Sequence, residues 1–168
     1  AWVPWLEAAG VPVAPLRPSN CGFDVGTSRA TGPQGTGWTP HFASRFAGQP
    51  FKSVAIRFIN RAGRVFARKG EFVATATGVE GSLIYAASSL LRDEIAATGH
   101  ATFEIDLLPD LPPSRVLAGV AHPRGSRSLS SHLKSRLGLD GIKMALLHEL
   151  LSKEVLAQPE RLAAAIKA

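Results

Sequence analysis

Apolar residues follow two different spacings along this chain. Alternation of apolar and polar positions, which is typical of a β-strand with one buried face, occurs in four segments: residues 54–59, 64–68, 71–76 and 101–107. Residues 82–97 instead place apolar side chains every three or four positions and are followed by Gly99, so they predict a helix. A shorter helix is predicted over residues 2–9, ahead of Gly10.

A cluster of three prolines ends the strand-rich region: Pro109, Pro112 and Pro113. The spacing that follows is helical throughout and predicts four helices, over residues 114–121, 128–137, 141–155 and 159–167. Ser114 and Asp140 are placed to cap two of these helices, and Pro159 suits a first helical turn. We therefore predict an α+β fold, with a strand-rich part over residues 1–108 that contains one long helix and a helical bundle over residues 109–168.

The composition is that of an ordinary globular protein. With 168 residues, 45% of them hydrophobic, the chain is long enough for one domain or two small ones. No apolar run approaches the ~20 residues of a membrane-spanning helix, and no secretory leader is recognisable. The single cysteine, Cys21, rules out an internal disulfide and favours a reducing, cytoplasmic setting. Large apolar residues begin at Trp2, which favours a piece of a longer protein.

Basic residues concentrate in the helical part. The net charge is +6, from 19 Lys and Arg against 13 Asp and Glu. Five of these cations form a predicted basic face: Arg124, Arg127, Lys134, Arg136 and Lys143. Residues 126–128, at a helix start, suit a phosphate, yet the segment has no aromatic residue on which a base would stack. Three interpretations stay open: a solvated helix face, an RNA-binding module, and a surface that docks an acidic protein.

A glycine turn between a predicted strand and a predicted helix is the place where a dinucleotide would be expected. Dinucleotide-binding turns use Gly-x-Gly-x-x-Gly to bring backbone amides close to a pyrophosphate. Here only Gly78 and Gly81 are present, and Glu80 brings a negative charge to that position. We therefore expect no cofactor site within this chain. The turn over residues 75–82 is either a plain connection or a contact to some other ligand through its amides.

Each remaining chemical candidate has a plain structural alternative. Glu104 and Asp106 share a strand face and are either an acid–base pair or ordinary solvated residues. Cys21 is either a reactive thiol or a small residue packed in a turn. Glu149 and Lys153 are spaced for an i,i+4 ion pair on a helix. The five histidines show no metal-ligand spacing, so no metal site is predicted, and no catalytic residue is identified.

Four segments resemble one bacterial flavoprotein family: residues 2–23, 38–52, 70–88 and 124–139. The family comprises NAD(P)/FAD-dependent oxidoreductases related to the bile-acid-pathway flavoprotein. The resemblance implies an insert within a larger FAD-binding domain, with the dinucleotide fingerprint before the insert and a second flavin-contacting segment after it. It further implies a β-barrel like that of translation factors, followed by a helical bundle like one in a small-subunit ribosomal protein.

The chain departs from the pattern of that family in two places. Glu80, Gly81 and Ser82 stand where the family has Ser and then Gly-Pro, so a contact made by that serine is not carried over. The glycine-rich loop over residues 26–37 is also longer than usual.

The resemblance implies the insert, or cap, domain of an FAD-dependent oxidoreductase, not active alone, which shapes the substrate side of a flavin held by a separate domain of the parent chain. FAD is implied for the parent and not for this chain. The substrate- or flavin-facing residues are expected in two turns: Ser19, Asn20, Cys21 and Gly22 in one, and Thr75, Gly78, Val79, Glu80 and Gly81 in the other. We expect the turns to converge on one side of the barrel. The alternative is an RNA-binding or protein-docking module that uses the basic face.

Overall fold

The computed structural model describes residues 2–26 and 37–168, so residues 27–36 of the predicted glycine loop lie outside the described residues. Five strands are described: β1 Phe23–Asp24, β2 Pro50–Ile59, β3 Val65–Ala74, β4 Gly78–Glu80 and β5 Glu104–Asp106. Eight helices are described: α1 Val3–Ala8, α2 Pro40–Phe46, α3 Ser82–Thr98, α4 Pro113–Ala121, α5 Leu129–Leu137, α6 Gly141–Leu150, α7 Lys153–Ala157 and α8 Pro159–Lys167.

The five strands form one antiparallel sheet in the order β1-β4-β3-β2-β5. Its centre is the long hairpin of β2 and β3, whose pairing is interrupted by a bulge between Phe51 and Val54. Ser53, inside the bulge, has a positive φ of 49°. The barrel-like sheet is followed by packed helices, which confirms the predicted α+β class.

Several predicted boundaries are wrong, and each error has a local cause. The segments 64–68 and 71–76 are one strand, β3, because Gly70 continues the extended backbone between them. The helix predicted over 141–155 is two helices, α6 and α7, because the Ser152 hydroxyl accepts a hydrogen bond from a later backbone amide and starts a new helix. The strand predicted over 101–107 is reduced to the three residues of β5.

Of the two predicted helix caps, Ser114 is wrong and Asp140 is right in position only. Helix α4 starts one residue earlier than predicted, so Ser114 lies inside its first turn. Asp140 occupies the N-cap position of α6, but its carboxylate makes no cap hydrogen bond and pairs with Lys134 instead. By contrast, Pro159 opens α8 and a left-handed Gly99 ends α3, as predicted.

One continuous cluster of buried side chains runs through the sheet and the helices. Phe51 and Phe72 stack across β2 and β3 with ring centroids 4.7 Å apart, and α3 contributes the fully buried Ile84. On the helical side, the N–H of Leu107 donates to the carbonyl of Ile166 at 2.9 Å, which joins the end of β5 to α8. The buried cluster has no break between β5 and α4, and the division into two parts near residue 108 stays a prediction.

The N-terminal helix α1 is the exception to this packing. None of its residues is buried, and the tryptophans Trp2 and Trp5 are 53% and 79% exposed. Among the helices of the described residues, none combines the length and the apolar character needed to cross a membrane.

Candidate functional site

The two predicted turns meet at one edge of the sheet. Strands β1 and β4, each of which follows one of the turns, pair antiparallel, with Asp24 opposite Gly78. The hydroxyl of Thr77 adds a hydrogen bond to Asp24 Oδ1 at 2.5 Å. We call residues 19–24 and 75–81 the β1–β4 edge. Sequence reasoning therefore selected two segments that the fold brings together.

Two glycines allow the strands of this edge to approach so closely. A Cβ placed on Gly78 would lie 1.9 Å from the carbonyl oxygen of Phe23. A Cβ placed on Gly22 would lie 2.9 Å from the carbonyl oxygen of Val79. Real Cβ atoms do not come this close to backbone, so both positions need glycine. Gly78, which looked like half of a phosphate-binding turn, is explained by strand pairing.

In the turn before β4, the backbone amides of residues 75 and 78 donate hydrogen bonds within the turn itself. Thr75 N donates to Gly78 O, and Gly78 N donates to Thr75 Oγ1, each at 2.8 Å. Strand β4 then separates the turn from α3, so the predicted order of strand, turn and helix is wrong by one inserted strand. Gly81, with a φ of 104°, packs against Phe72 and is the N-cap of α3. Residues 75 and 78 thus offer no free amide to a phosphate.

The side chains of the edge differ in exposure. Val79 is 3% exposed, so its side chain lies in the core rather than towards a ligand. Ser19, Asn20 and Glu80 are exposed, and Cys21 is a half-buried free thiol. Asp24 and Thr77, which are hydrogen-bonded to each other, are exposed as well, so the edge presents mainly polar side chains to a neighbouring molecule.

The turn over residues 19–22 is anchored to helix α3. Asn20 has a positive φ of 51°, a conformation that Asn adopts more readily than most residues. Its N–H donates to the hydroxyl of the buried Ser88 at 3.2 Å. One residue before the turn, the carbonyl of Pro18 accepts a hydrogen bond from Arg92 at 2.5 Å. The first half of the edge is therefore held by a helix rather than left as a free loop.

A buried network that sequence reasoning missed holds the second half. Trp38 Nε1 donates to the carbonyl of Gly78 at 3.1 Å. The next residue, Thr39, donates from its N–H and its hydroxyl to the two carboxylate oxygens of Glu149, at 2.7 and 2.8 Å. Glu149 is 6% exposed, so the predicted ion pair with Lys153 is not formed. The available signal was Thr-Pro at the start of α2, since Thr39 is its N-cap.

A groove of about 550 Å³ lies beside this carboxylate, between α2, α5 and α6. Phe46 and Met144 supply part of its apolar lining. Lys134 and Asp140 form an ion pair on its wall, with Nζ and Oδ2 3.1 Å apart. Its volume is that of a small-molecule site, and none of its lining residues belongs to the β1–β4 edge.

The predicted basic face is split, because Lys143 does not belong to it. Lys143 is half-buried, and its Nζ donates to the carbonyls of Ser53 and Leu107, at 3.1 and 2.6 Å. Burial lowers the pKa of Lys143, and the nearby carboxylates Asp106 and Asp110 partly oppose this shift. Lys143 therefore joins α6 to the sheet instead of facing a partner.

The other four cations lie on α5 and on the turn before it. We call them the α4–α5 basic surface: Arg124, Arg127, Lys134 and Arg136. The carbonyl of Arg124 accepts a hydrogen bond from Arg127 N at 3.2 Å, which closes the turn. The guanidinium of Arg136 lies against the ring of His122, with Nη2 2.6 Å from Nε2. With Lys134 paired to Asp140, the three arginines are the cations of this surface that have no carboxylate partner among residues 2–26 and 37–168.

For Glu104 and Asp106, the ion pairs favour ordinary strand residues over an acid–base pair. Glu104 Oε2 lies 3.1 Å from Arg57 Nη1, and Asp106 Oδ2 lies 2.6 Å from Lys167 Nζ. Each carboxylate therefore has its own cation. Across residues 2–26 and 37–168, no group of three or more His, Cys, Asp or Glu is arranged to hold a metal ion.

A barrel-like antiparallel sheet that is followed by packed helices defines the class of this domain. Over residues 17–168 the chain matches the HI0933-like protein barrel and H2TH domain, and it belongs to this family. The HI0933-like family is a flavoprotein family and implies FAD in the parent protein. No curated protein matches the chain. The closer relation to the bile-acid-pathway flavoprotein stays a prediction.

The β1–β4 edge does not fit the pyrophosphate of that FAD. The amides of Thr75 and Gly78 are bonded within their own turn, and Glu80 adds an exposed carboxylate beside the start of α3. An anionic group at this turn would therefore meet the carboxylate of Glu80, while the amides of Thr75 and Gly78 are already used within the turn. We assign no step of a reaction to the edge through that group.

Proposed function

We propose that this chain is the insert, or cap, domain of an FAD-dependent oxidoreductase, and that its β1–β4 edge faces the substrate side of a flavin held by a separate domain of the parent chain. The observation that carries the proposal is the pairing of β1 with β4, which puts two turns from the resembling segments side by side. Membership of a flavoprotein family supports the context.

The contribution of this chain is shape and orientation. A bound flavin supplies the electron-transfer chemistry, and the protein around it positions the substrate and excludes water. The edge suits that role because Gly22 and Gly78 keep its backbone close-packed, while Asn20 and Glu80 offer polar groups at its surface. A small-molecule substrate and a cytoplasmic location are part of the proposal.

The alternative function is docking through the α4–α5 basic surface. Residues 113–139 contain five basic residues and no acidic one: Arg115, Arg124, Arg127, Lys134 and Arg136. This observation favours an acidic partner. The loss of Lys143 from the face and the pairing of Lys134 weaken the RNA-binding version, since phosphate neutralisation depends on the number of free cations.

The test uses the full-length parent protein with its flavin bound. Asn20→Ala and Glu80→Gln are expected to alter substrate turnover and the quenching of flavin fluorescence by iodide, while flavin content stays near normal. Gly78→Val is expected to do so more strongly, because it displaces β1. The control Gly63→Ala strains a φ of 76° in the β2–β3 turn without touching a neighbour, and it should change neither readout. If the edge variants behave like this control, the placement is wrong.

A further inference from the structure

The contact between Glu149 and Thr39 joins the helical part of the chain to the segment that leads into α2. Both carboxylate oxygens of Glu149 accept hydrogen bonds from the same residue, at 2.7 Å from its N–H and 2.8 Å from its hydroxyl. At 6% exposure the carboxylate has almost no access to water, and hydrogen bonds to a buried charge are strong. The position of α6 therefore determines the position of Thr39.

Thr39 transmits this constraint to the β1–β4 edge through the residue before it. Trp38 is 6% exposed, and its ring lies 4.6 Å from that of Phe42 on α2, which Thr39 caps. Its indole N–H donates to the carbonyl of Gly78, the residue at which β4 begins. A shift of Thr39 moves the indole, and the indole is bonded to the part of β4 that pairs with Asp24.

We propose that Glu149 is a positioning residue of the β1–β4 edge: it fixes Thr39, Thr39 orients Trp38, and Trp38 holds Gly78 where β4 pairs with β1. Displacement of α6 is thereby transmitted to the surface that faces the flavin. The last link rests on the proposed function, whereas the links from Glu149 to Gly78 do not.

The first experiment follows Trp38 directly. The full-length parent is labelled with 5-fluorotryptophan, and its fluorine NMR resonance from Trp38 is assigned with Trp38→Phe. We expect Glu149→Ala to shift that resonance. Glu149→Gln keeps one acceptor for Thr39 and is expected to shift it less. The matched control Glu160→Gln changes an exposed acid on α8 and should leave the resonance in place.

The second experiment measures the flavin in the same proteins, with flavin content and melting temperature as checks on folding. Glu149→Ala and Trp38→Phe are expected to change iodide quenching of flavin fluorescence in the same direction, and the double variant to add little to either. Trp5→Phe, which changes an exposed tryptophan on α1, is the control for Trp38.

The two experiments separate the inference from the proposed function. An unshifted Trp38 resonance in Glu149→Ala overturns the inference, whatever the flavin does. The inference is also overturned if Glu149→Ala shifts the resonance but leaves quenching unchanged, while Gly78→Val and Asn20→Ala do change quenching. In that case the proposed function still stands. If the edge variants change nothing, the proposed function fails, and the fluorine shift alone decides the links from Glu149 to Trp38.

Discussion

The β1–β4 edge and the α4–α5 basic surface are built in opposite ways. The edge consists of close backbone contacts that leave no space for an added side chain, since a Cβ on Gly78 would lie 1.9 Å from a carbonyl oxygen. The basic surface consists of exposed arginines around a turn in which Gly125 has no neighbour within 4 Å. The edge should therefore be sensitive to the smallest change, and the basic surface should tolerate large ones.

Under the proposed function, this difference bears on which of the two surfaces would select a small ligand. Exposed arginines attract any anion, and salt screens that attraction. A surface held by strand pairing, by α3 and by a buried indole instead presents one fixed shape. Sites that position a substrate need the second kind of surface, because small displacements of positioning groups cost much of the rate.

The largest effect is expected at Gly78. Gly78→Ala places a methyl group where the carbonyl of Phe23 stands, so β1 must separate from β4. We expect the free energy of unfolding to fall by about 2–3 kcal/mol, the upper range for overpacking a tight site. Urea denaturation of the parent protein measures it. Gly63→Ala, the control, is expected to lose about 1 kcal/mol from its strained φ, and equal losses at both positions would break the comparison.

Elements whose formation depends on residues close in sequence could be predicted from the sequence. The helix α3 and its end at Gly99 follow from helical spacing and a left-handed glycine. Alternation over consecutive residues also predicted most of β2 and β3 as strands, although it divided β3 in two and did not give their pairing. Strand β4 could not be predicted, because three residues carry little local signal and the strand exists through its partners β1 and β3.

For the candidate site too, the sequence predicted the features that local residues determine and missed those that depend on distant contacts. Convergence of its two turns was expected, whereas the need for Gly78 became visible only with Phe23 beside it. Glu149 was expected to pair with Lys153 on one helix, yet it binds Thr39, which is 110 residues away in sequence. A local surface ion pair contributes about 0.3–0.5 kcal/mol, less than two hydrogen bonds to a buried carboxylate. Sequence spacing does not show which residue is buried.

The second-largest loss of stability is expected at Gly119, which lies on α4 in the helical part of the chain. A Cβ there would lie 2.4 Å from Leu137 Cδ2 and 2.9 Å from its Cγ, which are atoms of a buried side chain rather than of the backbone. Because Leu137 can shift and alanine favours a helix over glycine by about 1 kcal/mol, we expect Gly119→Ala to lose only about 1 kcal/mol overall. Equilibrium unfolding of this variant, alone and with Leu137→Val, measures the loss and its relief. A loss as large as that at Gly78 would show that close packing is not special to the edge.

A smaller effect is expected on the basic surface. Arg124→Ser with Arg127→Ser should change the free energy of unfolding by no more than about 0.5 kcal/mol, as is usual for exposed sites. Binding to single-stranded RNA should be weak and disappear with modest added salt. The control pair Arg61→Ser with Arg64→Ser removes two exposed arginines from the β2–β3 turn. Tight RNA binding at physiological salt that only the first pair abolishes would favour the RNA-binding module.

The smallest effect is expected at Asp93, whose charge interacts with Arg92 and Arg17 beside the β1–β4 edge. Arg92 donates from Nε and Nη2 to Asp93 Oδ1, at 3.0 and 2.9 Å, and Arg17 Nη1 lies 3.3 Å from the same oxygen. These contacts, the hydrogen bond from Arg92 above all, lower the pKa of Asp93 from its usual 3.8. Since the folded pKa is below the unfolded one, the stabilisation is fully present above the unfolded pKa and is lost as the pH falls through the folded pKa.

Asp93→Asn should therefore lower the melting temperature slightly at neutral pH, and the difference from the unchanged protein should vanish in acid below the folded pKa of Asp93. Melting curves over a pH series, in low and high salt, measure this, and salt should shrink the neutral-pH difference because the group is exposed. A difference that is the same at every pH would mean that the charge of Asp93 contributes nothing. The uncharged contacts alone would then stabilise the edge: the hydrogen bond from Asn20 to Ser88 and the hydrogen bond from Trp38 to Gly78.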